Sequence, residues 1–337
     1  MFLKGSLGAL GAAAFYGISK TPSGYSSATD QVLASIFGNP GIAYAQAGSY
    51  PANKMSAELP ATVTEISLTT PHTIKEIAPG LAFEVWGYND SGPGPHLHVR
   101  EGDTIKFSMT NTAEIQHSMD FHAAQLDWSR YYQAVDPGAT LEFEWKANFP
   151  GAFMYHCGTP PVLSHISNGM HGAIIVQPRD GWPEPAREYV LVQHEWYLGA
   201  AGDDGVRRGD SVKMNAATPD LVVFNGYVNQ YQENPLVADP GELVRIHVVN
   251  CGPTVWSAFH VIGAIFEAAY PEGNPKNKQY GMQTVSIAPG GSYTVELRVP
   301  DAGLYPFVTH SFAYTGKGAL GILKVGEPDS SLPVGGH

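Results

Sequence analysis

"DPGATLEFEWKANFPGAFMYHC", residues 136–157, holds a turn, a strand, a second turn and a second strand in succession. The Asp-Pro-Gly turn leads into T-L-E-F-E-W-K, where apolar and polar side chains alternate, the period of a strand with one buried face. Pro150-Gly151 breaks the run, and AFMYH restarts it up to Cys157. The same grammar returns at residues 288–310, "APGGSYTVELRVPDAGLYPFVTH". Upstream, "REGDTIKFSMTNT" (100–112) is echoed by "DPGELVRIHVVNC" (239–251), each an acidic, Gly-bearing turn that opens a strand. Two units of one kind follow from the repeat. Turn signals recurring about every eight to twelve residues favour β-sandwiches over α/β folds.

Composition points the same way. Charged residues make up 15% of the chain, with 38 Gly and 26 Pro, a balance suited to many short strands. A length of 337 residues accommodates two domains, expected over 60–178 and 186–326. The Pro-rich "QPRDGWPEPAREY" (177–189) joins them. Helix is expected only in short pieces, one around "ATPDLVVF" (217–224). A net charge of −12 argues against nucleic acid and anionic membrane surfaces as partners. The apolar run in "MFLKGSLGALGAAAFYGI" is too short to span a bilayer stably. With the small-x-small sites of "GIAYAQAGS", it reads as an export leader over 1–47, which places the protein in the periplasm or otherwise outside the cytoplasm. Residues 327–337 read as a tail. Two cysteines exclude a disulfide framework, and Cys251 reads as a small buried residue.

"YHCGTPPVLSHISNGMHG" (155–172) carries the chemistry. Cys157, His165 and Met170 supply a thiolate, an imidazole and a thioether, and "QHSMDFH" adds His117. Two His, one Cys and a weak axial Met form the blue-copper electron-transfer set. Strand neighbours point to opposite faces, so His156 turns away when Cys157 faces that copper. Asp120 and His122, two apart, share a face and gather with His156 on the far side. Two histidines are too few for a catalytic copper with an open position. The second unit offers His310, one position beyond the cysteine's counterpart in the repeat, and His260 in "SAFHVIG" (257–263), which echoes "QHSMDFH".

"HSMDFH", "YHC…H…M", "FHVIG" and "VTHSF", in that order over about residues 60–326, resemble the copper-containing nitrite reductases. The resemblance implies an all-β fold of two tandem cupredoxin-like Greek-key β-sandwich domains of the multicopper oxidase superfamily, assembled as a homotrimer. It implies one type 1 copper held by His117, Cys157, His165 and Met170. One type 2 copper would be held by His122, His156 and, from the neighbouring subunit, His310. Asp120 and His260 are then proton donors, and Ile262 caps the pocket for nitrite. The implied reaction is the one-electron reduction of nitrite to nitric oxide in denitrification. The electron would come from a small cupredoxin or cytochrome c and pass between the coppers through Cys157-His156. Two departures stand out: seven residues separate Cys157 from His165 where well-known members have eight, and "AIFEAAY" after "FHVIG" lacks a second histidine.

Two other readings compete. A two-domain laccase-like oxidase would need His-x-His pairs and a His-Cys-His segment, but Cys157 is followed by Gly158. "PHLHV" has the paired form at His96 and His98, at a point where plain strand residues are expected. A non-enzymatic blue-copper carrier would need the first four ligands only. Of the remaining histidines, His171 is expected at the surface near the blue copper, and His194 and His247 in packing or at the surface. The six tryptophans are expected in cores or interfaces.

Overall fold

The alternation in T-L-E-F-E-W-K becomes the Thr140–Lys146 strand, exposed and buried by turns along its whole length. In the computed structural model, which describes residues 54–328, it is the edge of a three-stranded sheet. Its neighbour Thr104–Thr110 runs antiparallel to it, with Phe107 opposite Phe143, and parallel to Glu65–Thr69. A four-stranded sheet lies against this one, ordered Leu97–Arg100, His171–Gln177, Gly151–His156, Asp120–Phe121. One core joins the two sheets, with Ile105, Phe107, Phe143 and Trp145 from the first and Val99, Phe121, Tyr155, Ile174 and Val176 from the second. Two sheets sharing inward-facing side chains form a sandwich.

The second half repeats the plan. A six-stranded sheet includes Arg187–Trp196, Val244–Asn250 and Ser292–Leu297. A five-stranded sheet includes Ser257–Val261, Gly303–Thr309 and Leu320–Val325. Leu191, Ile246, Val248 and Val295 of one meet Phe259, Phe307 and Leu323 of the other. The architecture is two tandem cupredoxin-like sandwiches.

The sandwiches are also bound to each other. Arg207–Gly209 of the second half pairs with Leu81–Trp86 of the first through Arg207 and Phe83. Ala152, Met154, Ala173 and Ile175 pack on Val190, Val192, Val249 and Cys251, so Cys251 is buried as expected. Where the linker meets the second sandwich, buried Arg245 binds Glu188 and Glu296 and lies over Trp182 at 4.2 Å. The expected leader and most of the expected tail lie outside the described residues.

One expectation needs correction. "ATPDLVVF" does not form a helix: Leu221–Phe224 is a fully buried strand with Leu221 opposite Trp196. A short apolar run buried on both faces has no periodicity to separate strand from helix, and its β-branched valines favour strand. Of the tryptophans, expected in cores or interfaces, Trp145 and Trp196 are core residues, and Trp128 and Trp256 are 75% and 58% exposed on this chain.

Candidate metal centres

The strand Gly151–His156 delivers its last side chain to one cluster and the next residue to another. Cys157 lies at the strand's end, and His165 on the short helix Val162–Ser167 that fills the following loop. Met170 precedes the next strand, and His117 precedes Asp120–Phe121. Cys157 Sγ is 3.3 Å from His165 Nδ1 and 3.9 Å from His117 Nδ1, and the two Nδ1 atoms are 3.2 Å apart. All three side chains are buried, as is Met170. Met170 is tied in by its backbone, its carbonyl accepting from Cys157 N–H at 3.1 Å and its N–H donating to the His165 carbonyl at 3.1 Å. Ser118 N–H is directed at Cys157 Sγ at 3.3 Å.

Burial, then neighbouring histidines, push His117 down to about 3 and His165 to about 4, so both rings are neutral at ordinary pH. A neutral imidazole has one N–H and one lone pair. Two Nδ1 atoms converging on a sulfur in a dry pocket suit a bound cation, and a soft nitrogen–sulfur set suits copper.

The second cluster joins Asp120, His122 and His156, with one ligand atom of each within 4.8 Å of the others. His122 Nε2 and His156 Nε2 are 3.1 Å apart, and an Asp120 carboxylate oxygen is 3.8 Å from His156 Nε2. His156 Nδ1–H donates to the Cys157 carbonyl at 3.0 Å. With that proton spent, the His156 Nε2 lone pair faces the His122 ring across the gap, an arrangement that a metal ion stabilises. Burial and the nearby His156 lower the pKa of His122. His122 is nevertheless the exposed member, so the cluster opens to the surface of this chain.

His260 and His310 come together elsewhere, ring centroids 5.5 Å apart, outside the Asp120–His122–His156 cluster. His260 Nδ1 is hydrogen-bonded to the Gln283 carbonyl. His310 is exposed and packs edge-on against Phe312, centroids 4.6 Å apart. Ile262, half-buried, rests near Leu304, Val308 and Ile322.

His171 contradicts the surface expectation, being fully buried. It lies across the sheet from His156 and is covered by the second sandwich, its ring 4.6 Å from that of His194. Burial pushes His171 down to about 3. His194 and His247 are both buried, and His247 is bonded to Thr294 and Glu188. His96 and His98 belong to no metal-type cluster among the described residues. His98 Nδ1 meets the Pro60 carbonyl at 2.7 Å.

Sequence reasoning missed two residues beside the first cluster. Trp86 packs edge-on against His165 at 5.3 Å, and His72 is in hydrogen-bond contact with His117. Nothing local in the sequence marks either one; their partners are brought by the fold.

Comparison with known proteins places this geometry in a family. A family model for multicopper oxidases matches residues 72–181. A copper-containing nitrite reductase of Neisseria gonorrhoeae is 39% identical over 274 residues, 80% of this chain and 69% of that protein. A solved copper nitrite reductase from Nitrosomonas europaea superposes with a TM-score of 0.73 at 37% identity, covering 79% of this chain and 94% of that one. A solved multicopper oxidase superposes almost as well, with a TM-score of 0.72 over 83% of this chain and 98% of that one, but at 27% identity. Shape alone therefore does not separate the two groups, whereas sequence does. The chain belongs to the copper-containing nitrite reductases, a family of oxidoreductases.

Proposed function

We propose that the protein reduces nitrite to nitric oxide, with one type 1 and one type 2 copper per chain: nitrite, one electron and two protons give nitric oxide and water. The observation that carries the reading is the adjacency of the two clusters. Cys157 belongs to one and His156 to the other, so a single peptide unit separates them. Bound copper would supply the redox chemistry, holding an electron at His117, Cys157, His165 and Met170 and offering nitrite an open position at the other cluster.

The chain's own residues do the rest. The Cys157-His156 peptide, shortened by the His156 Nδ1–H bond to the Cys157 carbonyl, forms the path between the clusters. Asp120, with an oxygen 3.8 Å from His156 Nε2, stands where it holds a proton for the departing oxygen. His260, whose ring is 5.5 Å from that of His310, supplies the second proton and Ile262 caps the pocket, both from the same neighbouring subunit as His310. His310 is exposed and outside its own chain's cluster, so a neighbouring subunit of a homotrimer is the arrangement that completes the His122–His156 pair. Exposed Trp256 and Phe312 suit that contact.

In this reading residues 60–178 form the unit holding the first copper, and residues 186–326 the unit that lends His310. The electron donor is a small cupredoxin or cytochrome c, docking over the groove lined by Trp86, Glu114, Asp136 and His165. The leader directs export to the periplasm, where the reaction serves denitrification. Among the described residues no helix is long and apolar enough to cross a membrane.

A direct test supplies nitrite or dioxygen to the copper-loaded protein with an artificial reductant. Nitric oxide release is the expected result; dioxygen consumption without nitric oxide would instead establish the oxidase.

A further inference from the structure

Resting on the copper-binding role proposed for His117, we infer that His72 is a positioning residue for the first copper, accepting a hydrogen bond from His117 Nε2–H and thereby holding Nδ1 toward Cys157. The two Nε2 atoms are 3.0 Å apart. On the other side of the His117 ring, Nδ1 faces His165 Nδ1 at 3.2 Å and Cys157 Sγ at 3.9 Å. A neutral imidazole has one proton to place. If Nδ1 is to present a lone pair to a metal, the proton sits on Nε2, and the atom it meets is His72 Nε2.

His72 is itself held in place. Its ring stacks on Trp86 at 4.7 Å with 4° between the planes. The same indole packs edge-on against His165 at 5.3 Å and lies 6.3 Å from His117. One tryptophan therefore locks the acceptor and braces both candidate ligand rings. His72 opens the His72–Ala78 strand, whose partner Leu81–Trp86 carries Trp86 directly opposite it. Register thus fixes the stack, and the stack fixes the acceptor.

Ligand imidazoles characteristically give their second N–H to an oriented acceptor, which fixes the tautomer and raises the ring's basicity; losing it typically costs about 10–100-fold in metal affinity. Here the acceptor is a second imidazole from 45 residues upstream. A more basic His117 favours oxidised copper, so removing the acceptor raises the potential of the site.

The test compares copper-loaded full-length protein with His72→Phe, which keeps a flat ring for Trp86 but cannot accept, and His72→Gln, which can. The readouts are copper affinity at the first site by chelator competition, its reduction potential, and the thiolate-to-copper absorption band. The expected result is roughly 10-fold or greater loss of affinity, a raised potential and a shifted band in H72F, with H72Q close to wild type. An H72F protein unchanged in all three overturns the inference, as does an H72Q protein displaced as far as H72F. Should either variant fail to fold, nitrogen NMR of the wild type loaded with Cu(I) decides. A scalar coupling between His117 Nε2 and His72 Nε2 across the shared proton supports the role, and its absence, or a proton on His117 Nδ1, overturns it. A wild type with no thiolate-to-copper band would instead overturn the copper assignment itself, and the inference with it.

Discussion

His156 and Cys157 are consecutive in the chain but belong to different clusters: His156 Nε2 is 3.1 Å from His122 Nε2, and Cys157 Sγ is 3.3 Å from His165 Nδ1. The alternation of a strand produces this separation without any further device. It also makes the two clusters separable by mutation.

Cys157→Ala removes the sulfur from the first cluster and leaves His156 in the second. The expected protein binds one copper in place of two, has no thiolate-to-copper absorption, and loses turnover with a protein donor by two orders of magnitude or more. Copper analysis and the visible spectrum check this.

Subunit mixing tests the origin of the third histidine. In the proposed homotrimer, His122→Ala and His310→Ala are each expected to be inactive on their own. Co-expressed and purified as mixed trimers, they should regain a fraction of wild-type turnover, because some sites then combine an intact His122 with an intact His310. Mixed trimers as inactive as the parents would mean that His310 does not complete a neighbour's site.

Glu195 gives stability an unusual pH dependence. Burial pushes its carboxyl up to about 7, against the pull of the Val255 and Thr254 N–H groups. The native state therefore keeps a proton that the unfolded chain releases at about 4.5. Stability from this group is fully present below about 4.5 and declines by about 3 kcal/mol as pH rises to about 7. His96, pushed down to about 4 by burial, acts in the opposite sense: the unfolded chain takes up protons first, so stability falls as pH drops from 6.5 to about 4. Urea unfolding of Glu195→Gln at several pH values should show the declining contribution removed and the histidine slope exposed.

Where the linker meets the second sandwich, Arg245 is 1% exposed and bound to Glu188 and Glu296. Arg245→Met leaves two carboxylates with little solvent and no cation. The expected loss is about 3–5 kcal/mol in denaturant unfolding. A cost under about 1 kcal/mol would mean that water or rearrangement replaces the guanidinium.

Much of this was legible because the informative signals were local. T-L-E-F-E-W-K and its echo in S-Y-T-V-E-L give strands by alternation alone, and Cys157, His165, Met170 and His117 stand out by donor chemistry. The parity of Asp120, His122 and His156 is also local, and the structure gathers the three. What was illegible depends on distant partners. His72 finds His117 across 45 residues through strand register, and His171 is buried because the second sandwich covers the sheet that carries it. The helix Val162–Ser167 has no side-chain cap and starts after a proline pair, so its sequence reads as loop.

That two copper sites joined by one peptide unit reduce nitrite is checked first by measuring nitric oxide release and copper per chain in the same preparations of wild type and His122→Ala. Two coppers and sustained nitric oxide production are expected of the wild type. For the variant the expected result is one copper, an intact visible band and production reduced at least 100-fold. Two coppers in both proteins with equal rates, or a wild type that binds copper and releases no nitric oxide, would contradict it.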